Sequence, residues 1–424
     1  LILIAGIVAA SLAAGIALQV VSPGVIIVAV GVLGLWLLGI LLWDFNISRS
    51  LMMISTIYLF PLILTFYFAL AILVLSLVAG LYKSRLQTLK LLYPMEFFVL
   101  LGCGIVALTK THVSDGYLYF ITSVIVPPLV FLVLGNSRKL MGALATWVKV
   151  IGVVATIVAL AGIYLALTHP NDRIGSTWAN AMTINGFYAL AFFFCLALFA
   201  KADSRKFKAV WLGCAVTVFL GMMFTYTRIA MLAVIFGLML LMIKFRRIRM
   251  WGLLTICFIP LIIPSSMMTR GDIGAVIDIS ILIRLVAWYK AVGVIAAHPL
   301  FGIGFSTWSE IYRSMIPTPI LYAQHAHNVY INLILDMGII GTIAYLTVIY
   351  KSMYAFYKTR IYSHHDFSQY CIWVGMLSLL FSCLTDIFIQ QYTISLLFWI
   401  TLALMAKSAE EASEQLVAPE VNVP

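Results

Sequence analysis

The chain is short of charge. Asp, Glu, Lys and Arg make up 10% of its 424 residues against 64% hydrophobic, and mean hydropathy is +1.10. A soluble domain cannot cover its surface with so few charged groups. Repeated apolar runs of about 18 residues or more instead describe an all-α, polytopic integral membrane protein. Acidic residues are scarcest, 15 against 26 Lys and Arg, and no Asp-X-Asp pair is present to hold Mg²⁺. CxxC spacing is also missing. Cys103, Cys195, Cys214, Cys257, Cys371 and Cys383 fall inside apolar runs and read as small packing residues, so neither disulfides nor a zinc site is expected. Gly302-Ile-Gly304 lacks the third glycine and the preceding strand of a dinucleotide-binding turn, and no cofactor is expected. The sequence shows no inverted repeat or matched pair of broken helices of the kind that marks many secondary transporters. Glu96, Lys149, Asp336 and Asp386 are its few in-membrane charges, read as helix-end snorkelling or local pairing.

The net charge of +11 is distributed as a topology signal and not as a nucleic-acid-binding face. Spans are expected near 1–21, 25–43, 51–82, 92–109, 118–135, 140–168, 180–200, 207–224, 228–243, 250–264, 328–350, 370–388 and 391–406. The first run lacks a cleavage-site pattern and reads as a span. The 51–82 run is too long for one upright helix, and Pro61 favours a hairpin, so the total is about 12 to 14 spans. Basic linkers at 83–90, 138–139, 201–208, 244–249, 351–360 and Lys407 alternate with poorly basic ones. By the positive-inside rule the basic ones are cytoplasmic, which puts 265–327 outside as one large periplasmic loop. Residues 1–408 read as a single membrane domain, and 409–424 as a polar, disordered cytoplasmic tail.

The polar residues able to do chemistry concentrate between Arg284 and Asn328. Arg284 sits in a segment with Leu285, Trp288, Tyr289 and Val292 at the spacing of an amphipathic surface helix. Arg228 opens a span at the outer boundary, and Lys110, Arg173, Arg270, Lys290 and Arg313 share that face. Snorkelling or a lipid-headgroup contact is the alternative for each arginine alone. Together, fixed cations on one face suit a lipid-borne phosphate or pyrophosphate, which guanidinium grips as a bidentate fork. His325 and His327 precede a span that starts near Val329, with Asn328 as its expected cap. An imidazole there can take a proton from an acceptor hydroxyl. Metal ligation and simple packing are the competing readings; no cysteine or sequence-near carboxylate completes a metal set. Two residues apart at a helix start, the histidines are expected to point in different directions, His327 fixed by packing and His325 in a looser loop. His298-Pro299, ahead of Gly302 and Gly304, reads as loop-shaping.

The order Thr227-Arg228, Arg284-X-X-X-Trp288, His298-Pro299-Leu-Phe-Gly302-Ile-Gly304-Phe305, His325-Ala-His327-Asn328-X-Tyr330 and Gly338-Ile-Ile-Gly341 resembles the O-antigen ligase and polymerase superfamily of bacterial membrane glycosyltransferases. Thr227 stands where many relatives carry Ser. The resemblance implies metal-independent, inverting transfer of a glycan from undecaprenyl pyrophosphate to an acceptor hydroxyl on the periplasmic face of the inner membrane. It gives Arg228 and Arg284 the pyrophosphate and His327 the acceptor proton. Lys290, His325, Asn328 and Arg173 are the further substrate-binding candidates. The implied partners are an undecaprenyl-pyrophosphate-linked donor, a lipid-anchored or glycan acceptor and membrane lipids, with no nucleic acid. Ligation to the lipid A core in lipopolysaccharide biosynthesis and chain polymerisation both use these residues. A small-solute transporter and a non-catalytic scaffold are the remoter alternatives.

Overall fold

The computed structural model describes residues 47–59, 61–83, 90–137, 142–169, 174–178, 180–250, 252–254, 257, 279–362 and 366–417. The runs expected at 1–21 and 25–43, most of that at 250–264, and Arg173, Arg270, Arg138 and Lys139 lie outside the described residues. Among the described residues every regular element is helical. In chain order these are α1 (Ile47–Ser55), α2 (Ile63–Lys83), α3 (Pro94–Thr109), α4 (Ser114–Gly135), α5 (Ala143–Thr168), α6 (Thr183–Lys201) and α7 (Arg205–Met223). They continue as α8 (Arg228–Lys244), α9 (Ile279–Ala297), α10 (Trp308–Met315), α11 (Val329–Phe356), α12 (Phe367–Ser382) and α13 (Tyr392–Val417). Seven of these, α4, α5, α6, α7, α9, α11 and α13, are long and apolar enough to cross a membrane.

Pro61 folds the long run at 51–82, since its ring cannot continue a helix. α1 and α2 pack against each other across it, and Ser76 Oγ bonds Ser50 Oγ at 3.1 Å. α6 is apolar on every side, the mark of a helix with no polar surroundings to face. It runs through the middle of the bundle against α5, α7 and α12. α8 and α12 run antiparallel: Phe245 meets Phe367 with ring centroids 4.9 Å apart, and Phe236 stacks on Phe381 at 4.6 Å. Arg228, the first residue of α8, therefore lies at the same end of the bundle as residues 383–386, which follow α12.

Two expectations need correction. The span placed at 328–350 is not continuous: α11 breaks at Gly338, with φ 74° and ψ −179°. A break strands carbonyls on one side and N–H groups on the other, and the loop from His298 to Phe305 satisfies both. Ile303 N donates to the Leu335 carbonyl (2.7 Å), Gly304 N to the Asp336 carbonyl (3.1 Å), and Ile339 N to the Pro299 carbonyl (2.8 Å). A Cβ on Gly338 would strike the Leu300 carbonyl, and one on Gly302, at φ 62°, the Leu335 carbonyl. The second correction concerns the tail expected to be disordered from 409. α13 continues to Val417, because Ala409 and Ala412 are buried and Glu410 pairs with Lys407 (2.7 Å) and with Lys90.

Of the in-membrane charges, Asp336 is paired locally. Its Oδ2 accepts from Asn332 Nδ2 (3.0 Å) and Gln390 Nε2 (2.9 Å), and its Oδ1 from Ser306 N (3.3 Å). Glu96 is paired with Lys351.

Candidate active site

Three segments meet at the end of the bundle where α11 begins. α11 is anchored to the exit of α12: Val329 N donates to the Cys383 carbonyl (2.9 Å) and Asn328 Nδ2 to the Leu384 carbonyl (3.0 Å). Asn328 Oδ1 caps the helix, accepting from Tyr330 N (2.9 Å) and Ile331 N (3.1 Å). The cap expected from sequence is therefore present, and both ends of the side chain are engaged. α9 closes the third side, with Trp288 Nε1 donating to the Ala326 carbonyl (2.8 Å) and Arg284 Nε to the Thr385 carbonyl (3.1 Å).

These anchors place His325, His327 and Asp386 together. The two imidazoles stand edge to face with centroids 4.3 Å apart. His325 Nε2 and His327 Nδ1 each lie 3.9 Å from Asp386 Oδ1. This corrects the expectation that the histidines diverge: they precede the helix, and His327 sits in the left-handed region at φ 47°, which turns its side chain back toward His325. The amide of His327 donates to His325 Nδ1 (3.3 Å), so neutral His325 carries its proton on Nε2, facing Asp386. His327 Nδ1 is buried without a hydrogen-bond partner, while its side chain as a whole keeps 23% exposure.

Electrostatics keep both rings uncharged. Burial, and after it the Arg284 charge, pushes His325 down to about 4. Burial, then His325, and to a smaller extent Arg284 push His327 down to about 4 against the opposing pull of Asp386. Arg284 also donates from Nη1 to the Ser280 carbonyl (2.7 Å), so two of its donors fix the plane and the rest of the fork can take an anion.

The other candidates are dispersed. Arg228 lies at this same end, on α8. Lys290 is about 120° around α9 from Arg284 at the usual helical twist. It lines a separate cavity of about 670 Å³ with Tyr289, His298, Ile311 and Met315. Arg173 is outside the described residues. Asp386 was missed as a site residue. Its position at the outer end of its expected span, on the same side as 265–327, was the available signal. With it, the carboxylate that the sequence did not offer is supplied: His325, His327 and Asp386 hold one ligand-type atom each within 4.8 Å of one another.

Fold and site together define a multi-pass helical membrane protein with a His/His/Asp cluster and an arginine at one end of its bundle. Residues 213–346, about a third of the chain, match the family model described as O-antigen ligase. The match supports placement in the O-antigen ligase and polymerase superfamily and glycan transfer of that type. It takes in Arg228, Arg284, His325 and His327 but stops short of Asp386. No curated protein matches the chain.

Proposed function

We propose that this chain transfers a glycan from undecaprenyl pyrophosphate to an acceptor hydroxyl at the periplasmic face of the inner membrane, as a ligase acting on the lipid A core. The observation that carries this reading is His327 Nδ1 facing Asp386 Oδ1 at 3.9 Å, with Arg284 held on the adjacent Thr385 carbonyl. The acceptor oxygen attacks the anomeric carbon from the face opposite the leaving group. The bond from that carbon to the pyrophosphate oxygen breaks, and undecaprenyl pyrophosphate leaves with the electron pair. His327 takes the hydroxyl proton on the ring edge away from Asp386, and the carboxylate stabilises the imidazolium that forms. Arg284, with Arg228 from the end of α8, holds the charge that develops on the pyrophosphate, a task that arginines can perform without Mg²⁺. Positioning both substrates at one membrane surface supplies much of the remaining acceleration.

The test is a surface-glycan gel from a deletion strain, repeated with the gene restored. Finished polymer stranded on its lipid carrier, with an unextended core, is the expected result. Single repeats on the core would assign the chain to polymerisation with the same donor and site. An unchanged glycan pattern would reject transfer altogether.

A further inference from the structure

The cluster that serves the acceptor proton also has the composition of a metal site. It supplies two imidazoles and a carboxylate on three nitrogen and oxygen atoms within 4.8 Å of one another. Among the described residues it is the one group of three or more His, Cys, Asp or Glu side chains so placed. His327 Nδ1 is buried, has no hydrogen-bond partner and is directed at Asp386. An orphaned imidazole nitrogen of this kind needs an explanation. Asp386 is itself 5% exposed, and its Oδ1 is further oriented by the Ile387 amide at 2.8 Å.

We propose that His325 Nε2, His327 Nδ1 and Asp386 Oδ1 form an inhibitory site for a borderline divalent transition ion, with Zn²⁺ the best match. Imidazole and carboxylate suit Zn²⁺, and three ligands leave a fourth position for water or a phosphate oxygen. Mg²⁺ and Ca²⁺ fit badly, since they need oxygen-rich shells. Bonds of about 2.0–2.1 Å place tetrahedral neighbours about 3.3 Å apart. The two 3.9 Å separations from Asp386 therefore need to close by a fraction of an ångström, and the ligand nitrogens of the two rings, within 4.8 Å of each other, by up to about 1.5 Å. Ligation through His325 Nε2 moves the remaining ring proton to Nδ1 and gives up the long bond from the His327 amide. The Arg284 charge nearby opposes any cation and limits the affinity.

The inhibitory half of the proposal rests on the glycan-transfer reading; the binding half does not. With Nδ1 of His327 on the metal, the neutral ring must carry its proton on the other nitrogen. That nitrogen can then no longer accept one from a hydroxyl. The metal also occupies the Asp386 carboxylate. Zn²⁺ would thus silence the base while leaving the donor arginines in place.

The test uses the full chain purified in detergent, with Cys214 and Cys257, the cysteines that are not fully buried, changed to Ser. Zn²⁺ is titrated against a chromophoric chelator, and Co²⁺ spectra report whether any thiolate is a ligand. One Zn²⁺ per chain should bind without thiolate. Its affinity should drop about tenfold or more in each of His325→Ala, His327→Ala and Asp386→Asn. Zn²⁺ should raise the thermal midpoint of the parent and not of the variants, and a variant that fails to fold reveals itself by its midpoint without metal. Unchanged affinity in His327→Ala overturns the site. Transfer should stop with Zn²⁺ and return with EDTA; binding without loss of transfer overturns the silencing. A chain that transfers no glycan even in EDTA fails the transfer reading, and the binding result then stands alone.

Discussion

At the scale of single residues, the proposed reaction makes Asp386 the group that decides how His327 works. Its carboxylate is the charged group that favours protonation of His327, against burial and two neighbouring basic groups. Asp386→Asn should therefore weaken the base and loosen the ring, and transfer should fall by about 10²-fold or more. His327→Ala should abolish transfer while the lipid-linked donor still binds, because holding pyrophosphate needs no base. A donor-binding assay beside a turnover assay checks both; full turnover in His327→Ala would falsify the role of base. The pH profile follows from the same groups. A base works only when uncharged, and folded His327 gains its proton near 4, not near the usual 6.5. Rates should stay level between about pH 5.5 and 8 and then drop on the acid side with a midpoint close to 4, moving lower still in Asp386→Asn. A midpoint at about 6.5 would mean that the ring is solvated during turnover. Arg284, which the sequence places among the site candidates, accounts for the smaller part of this displacement. Burial, the larger cause, was hidden because nothing in His325-Ala-His327 shows that α9 and the end of α12 cover it.

At the scale of elements, the broken helix α11 explains a motif that sequence could only describe as loop-shaping. His298 to Phe305 fills the gap at Gly338, and Asp336 ties that loop to Asn332 and Gln390. Asn332 Oδ1 in turn accepts from the Ala326 amide, between the two histidines (3.3 Å). Hydrogen bonds thus link the break to Ala326, beside His327. Helix positions were legible wherever an apolar run had a polar or basic border, as at α5, α6 and α7. The break was not legible, because Leu335 to Gly341 is uniformly apolar apart from Asp336, and only the distant loop makes a left-handed glycine there favourable. Gly338→Ala should cost roughly 1–3 kcal/mol for the backbone conformation, with the collision against Leu300 added, and should lower both thermal midpoint and turnover. Gly102→Ala is the control. It sits in α3 with open space around the added methyl, so it should leave the midpoint unchanged or raise it. Equal midpoints for the two variants would show that the break carries no strain that glycine relieves.

At the scale of the whole molecule, the charge asymmetry along α7 bears on which side of the membrane the site lies. α7 runs 19 residues from Arg205 to Met223 and leads directly through Thr225 to Arg228, at the site end. Its other end, about 28 Å away at 1.5 Å per residue, is capped by Ser204 and carries Arg205, Lys206 and Lys208. A helix with three basic residues at one end and the candidate site at the other is oriented by the positive-inside rule, with the basic end in the cytoplasm. In the proposed orientation the site would face the periplasm, where a lipid-linked glycan would be presented. Ser314, exposed on α10 in the loop that carries the histidines, and Ser204 are suitable reporters once Cys214 and Cys257 are changed to Ser. A membrane-impermeant thiol reagent should label Ser314→Cys in spheroplasts with intact inner membranes and should reach Ser204→Cys only after permeabilisation. The reverse pattern would place His327, Asp386 and Arg284 in the cytoplasm and remove the periplasmic transfer reaction from consideration. Labelling of both before permeabilisation would mean that α7 does not cross the membrane, and the charge asymmetry along it would then need a different cause.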